Sequence, residues 1–270
     1  MMKTFGGLRV AVAVLAIIYI LIPLIVVIPA SFTSANYYPS FPAEGFSLQW
    51  YAKILERPEF LEAFLNSAKF AALAALFSVI FGTLGALGIA KYDIPGKSYI
   101  TALLTSPLSV PQLVLGIALL MYFTPMMLAG TSTGFLIAHI VICIPYVMRL
   151  VLTGLSGFDY NLERAAAILG ANPLTVFMKV TLPLIGSAAI SGGLFAFLTS
   201  FDNVTVSLFM VSPEMKTLPI EIFSQMQDAY NPIVASVSSV VIFISVLLIV
   251  ILEKIQGVGK VFGGSHHTNG

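Results

Sequence analysis

The chain has 270 residues, of which 58% are hydrophobic and only 9% charged; soluble domains carry about 25% charged residues, so this composition excludes a water-covered globule, and its low polarity excludes a disordered chain. The formal net charge of +1 leaves no basic footprint for nucleic acid. The single cysteine, Cys143, excludes an internal disulfide and a Cys-based zinc cluster.

A polytopic membrane protein remains, and crossing the hydrocarbon core takes about 20 apolar residues. The first uncharged run covers residues 10–30. It exceeds the apolar stretch of about 7–15 residues in a signal peptide, so it reads as a retained span. The second span is expected at 67–90, with Lys69 able to snorkel from its outer end. Within it, Gly82, Gly85 and Gly88 form a small-residue stripe suited to close helix contact. The third is expected at 99–123, where Pro107 and Pro111 remove backbone donors and bend the helix. Turn residues at Thr124-Pro125 and Gly130-Thr131-Ser132 separate it from a fourth span at 132–153. That span carries a lone His139, which lacks companion metal ligands and reads as a hydrogen-bonded packing residue. Spans five and six are expected at 183–203 and 230–252. The expected fold is therefore all-α, a six-helix transmembrane bundle forming a single domain over 1–270.

Lys and Arg residues divide nine inside against four outside if the N-terminus is cytoplasmic, so the positive-inside rule puts both termini in the cytoplasm. The long inner segment, about 154–182, then carries the clearest local signals. Asp159 is placed to cap a short helix containing Leu162, Glu163, Arg164, Ala165, Ala166 and Leu169. Gly170 suits the left-handed residue that stops it. Asn172-Pro173 then reads as a fresh N-cap with proline in the first helical turn. Leu162, Ala165, Ala166 and Leu169 share one face, and small residues there suit docking into a partner's groove.

This loop resembles the "EAA" loop of permease subunits in bacterial binding-protein-dependent ABC importers. That signature is Glu-Ala-Ala, three residues, Gly, nine residues, then Ile-x-Leu-Pro. Ala165, Ala166, Gly170, Leu182 and Pro183 match it, and Val180 stands for the Ile. The departure is Arg164, which occupies the position of the signature's Glu, with Glu163 one residue earlier. The stretches Pro107–Ala118, Ser200–Ser207 and Thr217–Ile220 are similar to the second permease of the spermidine/putrescine branch.

The resemblance implies a type I importer permease fold in the bacterial inner membrane. It also implies a second permease subunit, expected to be a different chain, two ATPase subunits, a periplasmic receptor and spermidine, putrescine or a similar small organic cation as solute, with ferric ion, opine-like compounds and other small solutes as alternatives. Asp159, Leu162–Ala166, Leu169, Gly170, Pro173, Leu182 and Pro183 become the candidate ATPase-coupling residues. No Gly-x-x-x-x-Gly-Lys-Ser/Thr loop is present, so ATP is expected to be hydrolysed by partners, and no cofactor or metal is called for.

Candidate pathway residues are Asn66, Pro107, Pro111, Gln112, Ser200, Asp202 and Asn203. Asp202 lies about 28 Å from Pro183 at about 1.5 Å per residue, near the outer surface of the hydrocarbon core, where a carboxylate attracts cations. Glu214, Glu221 and Asp228 are candidates for a negative outer mouth or for loop solvation alone, and His266-His267 for weak metal scavenging or no role. The competing reading is a secondary transporter or channel. Such proteins carry functional ionisable residues within their spans, and here the spans are nearly free of them. An intramembrane enzyme would need a His-Glu-x-x-His motif or paired aspartates in its spans, and neither is present.

Overall fold

The computed structural model describes residues 2–37, 42–212, 215–228 and 231–256. Glu214, His266 and His267 lie outside the described residues, as does the side chain of Asp228. All regular structure among the described residues is helical. In chain order the helices are α1 (Met2–Ala30), α2 (Gln49–Leu55), α3 (Pro58–Lys91), α4 (Lys97–Thr105), α5 (Gln112–Phe123) and α6 (Ser132–Leu155). They continue as α7 (Asn161–Ile168), α8 (Pro173–Val176), α9 (Leu182–Phe201), α10 (Thr205–Met210), α11 (Leu218–Asp228) and α12 (Ile233–Gln256). Among the described residues, five helical stretches are long and apolar enough to cross a membrane, and the bent pair α4–α5 makes a sixth if counted as one span.

The chain divides into two compact units, Met1–Leu61 with Ile222–Gly270, and Glu62–Glu221. In the first, α1 and α2 pack against α12. The Ser236 hydroxyl of α12 donates to the Ser31 carbonyl at 2.9 Å, and the Ser31 hydroxyl lies 2.7 Å from that of Tyr51. Trp50 is buried, and its indole N–H donates to the Ala35 carbonyl at 3.2 Å. The apolar window of α1 has none of its residues buried within the chain, as suits a helix facing lipid.

The second unit is built on α6 and α9. Phe135, Ala138, Cys143, Val147, Met148 and Val151 are fully buried along α6. With the buried His139, positions 135, 139, 143, 147 and 151 fall four residues apart and make one continuous stripe, and Ile185 and Ala196 of α9 are buried in the same core. Gly82 and Gly192 allow α3 and α9 to close on Val147: a methyl group on Gly82 would lie 2.8 Å from its Cβ, and one on Gly192 would lie 2.8 Å from its Cα. The expected glycine stripe is thus one close contact, because Gly88 faces open space and Gly85 leaves room for a methyl. His139 is fully buried and stacks on Phe135 at 4.1 Å. Its ring nitrogens lie 2.7 Å from the Ser200 hydroxyl and 3.1 Å from the Ser207 hydroxyl, so it joins α6, α9 and α10.

The third span is broken rather than merely curved. Helices α4 and α5 meet at 104°. Pro107 sits in the tight turn Ser106–Leu108, and Pro111, at φ −54° and ψ 129°, starts α5. Neither proline can donate a helical hydrogen bond, and Val110, preceding Pro111, is biased away from helical geometry. The continuous helical stretch that contains the fifth expected span begins at Pro173, before residue 183. It passes through a wide π-helical segment, Phe177–Thr181, before α9. Pro183 lacks the N–H that would bond the Lys179 carbonyl. Next to it, the Leu182 N–H reaches back to the Phe177 carbonyl, the longer spacing of a π-bulge. The helix of the second expected span is likewise longer at its N-terminal end, with α3 starting at Pro58 rather than 67.

Candidate coupling loop and substrate pathway

The loop between α6 and α9 is helix, stop, helix. The Asp159 carboxylate accepts the Asn161 N–H at 2.9 Å and so fixes the entry to α7. At the far end Gly170 has φ +87°, a conformation costly to residues with a Cβ. The Gly170 N–H bonds the Ala167 carbonyl at 2.9 Å, and the Ala171 N–H bonds the Ala166 carbonyl at 3.1 Å. This pair of bonds is the Schellman stop. The Asn172 side chain then accepts the Thr175 N–H at 2.8 Å, with Pro173 as the first residue of α8.

No described side chain of α7 is buried. Leu162, Ala165 and Leu169 are exposed and Ala166 is partly covered, so the anticipated face is open. Ile168, which the spacing argument passed over, is 85% exposed next to that face, and Leu174 on α8 is exposed as well. Pro183 is exposed and Leu182 is partly buried at the start of α9.

Glu163 points the other way. Its Oε1 lies 2.5 Å from Lys91 Nζ and also accepts the Thr181 hydroxyl. Partial burial pushes this carboxyl up, but hydrogen bonds from Lys91 and Thr181, with the Lys91 charge, outweigh burial and hold it below its ordinary value of 4.5. Arg164 is exposed, and among the described residues it has no ion-pair partner. Lys91 and Thr181 were not legible as site residues, since they lie 72 and 18 residues from Glu163.

A second constellation lies at the α9–α10 junction. Gln112, Tyr146, Thr199, Asp202, Asn203 and Thr205 line a cavity of about 470 Å³. The Asn203 side-chain amide donates to Gln112 Oε1 at 3.0 Å, and its oxygen accepts the Val206 N–H at 2.9 Å. One residue thus caps α10 and holds the start of α5. Three pathway candidates, Gln112, Asp202 and Asn203, are thereby brought together. Tyr146, Thr199 and Thr205 join them without having been singled out.

The other four candidates stand apart from this cavity. Ser200 is buried against His139. Asn66 donates to the Lys216 carbonyl at 3.2 Å. Pro107 and Pro111 form the break in the third span and do not line the cavity. Glu221, a candidate for a negative outer mouth or for solvating the loop, does neither: it is 4% exposed and paired with Lys216 at 3.4 Å. A buried, paired carboxylate does not project charge into solvent.

Residues 78–258 match the family described as "Binding-protein-dependent transport system inner membrane component". The chain belongs to this family. It is an ABC importer permease, similar to the spermidine/putrescine transport system permease protein PotC of Haemophilus influenzae, at 33% identity over 240 residues, covering 88% of this chain and 91% of that one. It is also similar to the putrescine transport system permease protein PotI of Escherichia coli K12, at 30% over 241 residues, covering 87% and 85%. The crystal structure of a bacterial ABC transporter involved in import of the acidic polysaccharide alginate matches with a TM-score of 0.70 and 16% identity, covering 96% of this chain and 97% of that one. The fold is therefore the type I importer permease fold. These relatives are multi-pass transport permeases of the inner membrane, not enzymes, and they do not favour a gradient-driven transporter or channel.

Proposed function

We propose that the permease forms half of a translocation pathway for a small organic cation of the polyamine class. A second, different permease supplies the other half. ATPase subunits dock on the α7–α8 face, a receptor delivers solute from the periplasm, and both termini lie in the cytoplasm. The observation that carries this reading is the α7 face: Leu162, Ile168 and Leu169 are exposed on a helix fixed at both ends by Asp159 and Gly170. Exposed apolar side chains on a helix of set direction are what a partner groove buries, and a docked helix transmits closure of that partner as a rigid-body movement. The absence of a nucleotide loop in the sequence supports energy arriving from another protein.

The solute assignment is supported by the names of the two relatives and by the cavity bearing the Asp202 carboxylate beside neutral amides and hydroxyls. A carboxylate attracts an ammonium group, while amides and hydroxyls accept its N–H bonds. The test is uptake of labelled spermidine by proteoliposomes holding the complete complex with receptor outside. Uptake that requires both ATP and receptor is the expected result. Receptor-stimulated ATP hydrolysis with another ligand and no spermidine uptake would reject the polyamine assignment. Uptake without the ATPase subunits would reject the coupling reading.

A further inference from the structure

We propose that Lys91, Glu163 and Thr181 form a latch that makes α7 move as one piece with the inner ends of α3 and α9. The proposal rests on α7 being the coupling helix and adds the residues that would carry its movement into the membrane helices. The need for a fastening follows from the helix itself. With only Asn161–Ile168 in it and no described side chain buried, α7 has no apolar anchor, and helices this short are marginal without tertiary support. Its two joints, the Asp159 turn and the Gly170 stop, are local backbone features that set direction but tie it to no spanning helix.

Glu163 supplies that tie. One oxygen of its carboxylate receives both the Lys91 ammonium, at 2.5 Å, and the Thr181 hydroxyl. Lys91 is the last residue of α3, and Thr181 is the last residue of the π-helical segment leading into α9. Three elements therefore meet at one atom. Thr181 is fully buried, and the Lys91 and Glu163 side chains are 24% and 17% exposed. Partial desolvation and a shared acceptor distinguish this cluster from an exposed ion pair, which contributes little. Arg164 lines the same shallow groove with Ala167 and Phe177 but stays exposed. The charged group acting on Glu163 is thus Lys91 from α3, while Arg164 lines the groove without pairing with Glu163. The latch also holds the final residue of the π-helical segment, a departure from α-helical bonding of the kind found at functional sites.

The test uses the full complex with spin labels at Asn161→Cys and Tyr92→Cys, both exposed positions; the native Cys143 is buried. The distance between labels reads α7 against the end of α3, and transported solute per ATP hydrolysed is measured alongside. The wild-type background is expected to give one narrow distance through the ATP cycle. Glu163→Gln and Lys91→Met are expected to broaden it and to cut solute moved per ATP by at least about fivefold, the low end of ordinary coupling between sites. The exchange Lys91→Glu with Glu163→Lys is expected to restore both, which a residue needed only for folding would not do. A narrow distance and unchanged ratio in Glu163→Gln overturn the latch, as does an exchange variant that stays broad. A narrow, Glu163-dependent distance in a complex that shows no ATP-driven transport supports the latch and rejects the coupling reading instead.

Discussion

Glu163 and Arg164 are neighbours on α7, yet successive helical residues point about 100° apart, and that rotation separates their roles. Glu163 turns toward Lys91 and Thr181, while Arg164 stands exposed, with no ion pair among the described residues. Reversing Arg164 should therefore act only on whatever docks there. Arg164→Glu is expected to lower recovery of the cognate ATPase in a pull-down, by about 0.5–1 kcal/mol of binding at low salt, with membrane insertion unchanged. Equal recovery at low salt would show that Arg164 faces no partner charge. Glu163 also sets a pH dependence. A carboxylate held below its ordinary value of 4.5 contributes fully above that value and loses its contribution as pH falls through the lower folded value. The label distance across the latch should stay narrow from neutral pH down to 4.5 and broaden only in more acid solution, and Glu163→Gln should show no such transition.

At the scale of elements, close approach of helices decides stability. Gly192 of α9 lies against the Val147 backbone of α6, where an added methyl would be 2.8 Å from Cα. Backbone cannot yield as a side-chain tip can. Gly192→Ala is expected to destabilise the chain by about 1–3 kcal/mol, seen as a lowered unfolding midpoint in detergent. Gly88→Ala, which meets open space, should leave the midpoint unchanged or raise it slightly, since alanine is the better helix former. The break between α4 and α5 belongs to the same scale. Two prolines four residues apart end one helix and start another, and Gln112 at the new start is held by Asn203.

For the whole molecule, the family assignment makes this chain one component of an importer. Its own contribution to solute choice is expected at the Asp202 cavity. Because Asp202 is exposed, solvent screening limits its effect to about 1 kcal/mol or less. Asp202→Asn should raise the KM for a cationic solute roughly two- to fivefold. Maximal ATPase activity and uptake of a neutral solute should stay unchanged. Identical uptake kinetics for spermidine at low ionic strength would remove Asp202 from the pathway.

What the sequence determined by itself was everything that composition or a single turn of chain controls. The scarcity of charge implies a membrane protein, and uncharged runs of about 20 residues imply spanning helices. The stop at Gly170 and the restart at Asn172-Pro173 were equally legible, because each is closed by hydrogen bonds within a few residues. Which distant side chains meet was settled by helix packing. Ser200 and Asn203 stand near each other in sequence, yet one turns to His139 and the other to Gln112, 91 residues away. Glu163 finds Lys91 across 72 residues. Helices apolar on every side carry no periodic mark of the face that packs inward. Register, glycine contacts and the partners of the few polar groups were therefore set by helix packing rather than by any local pattern.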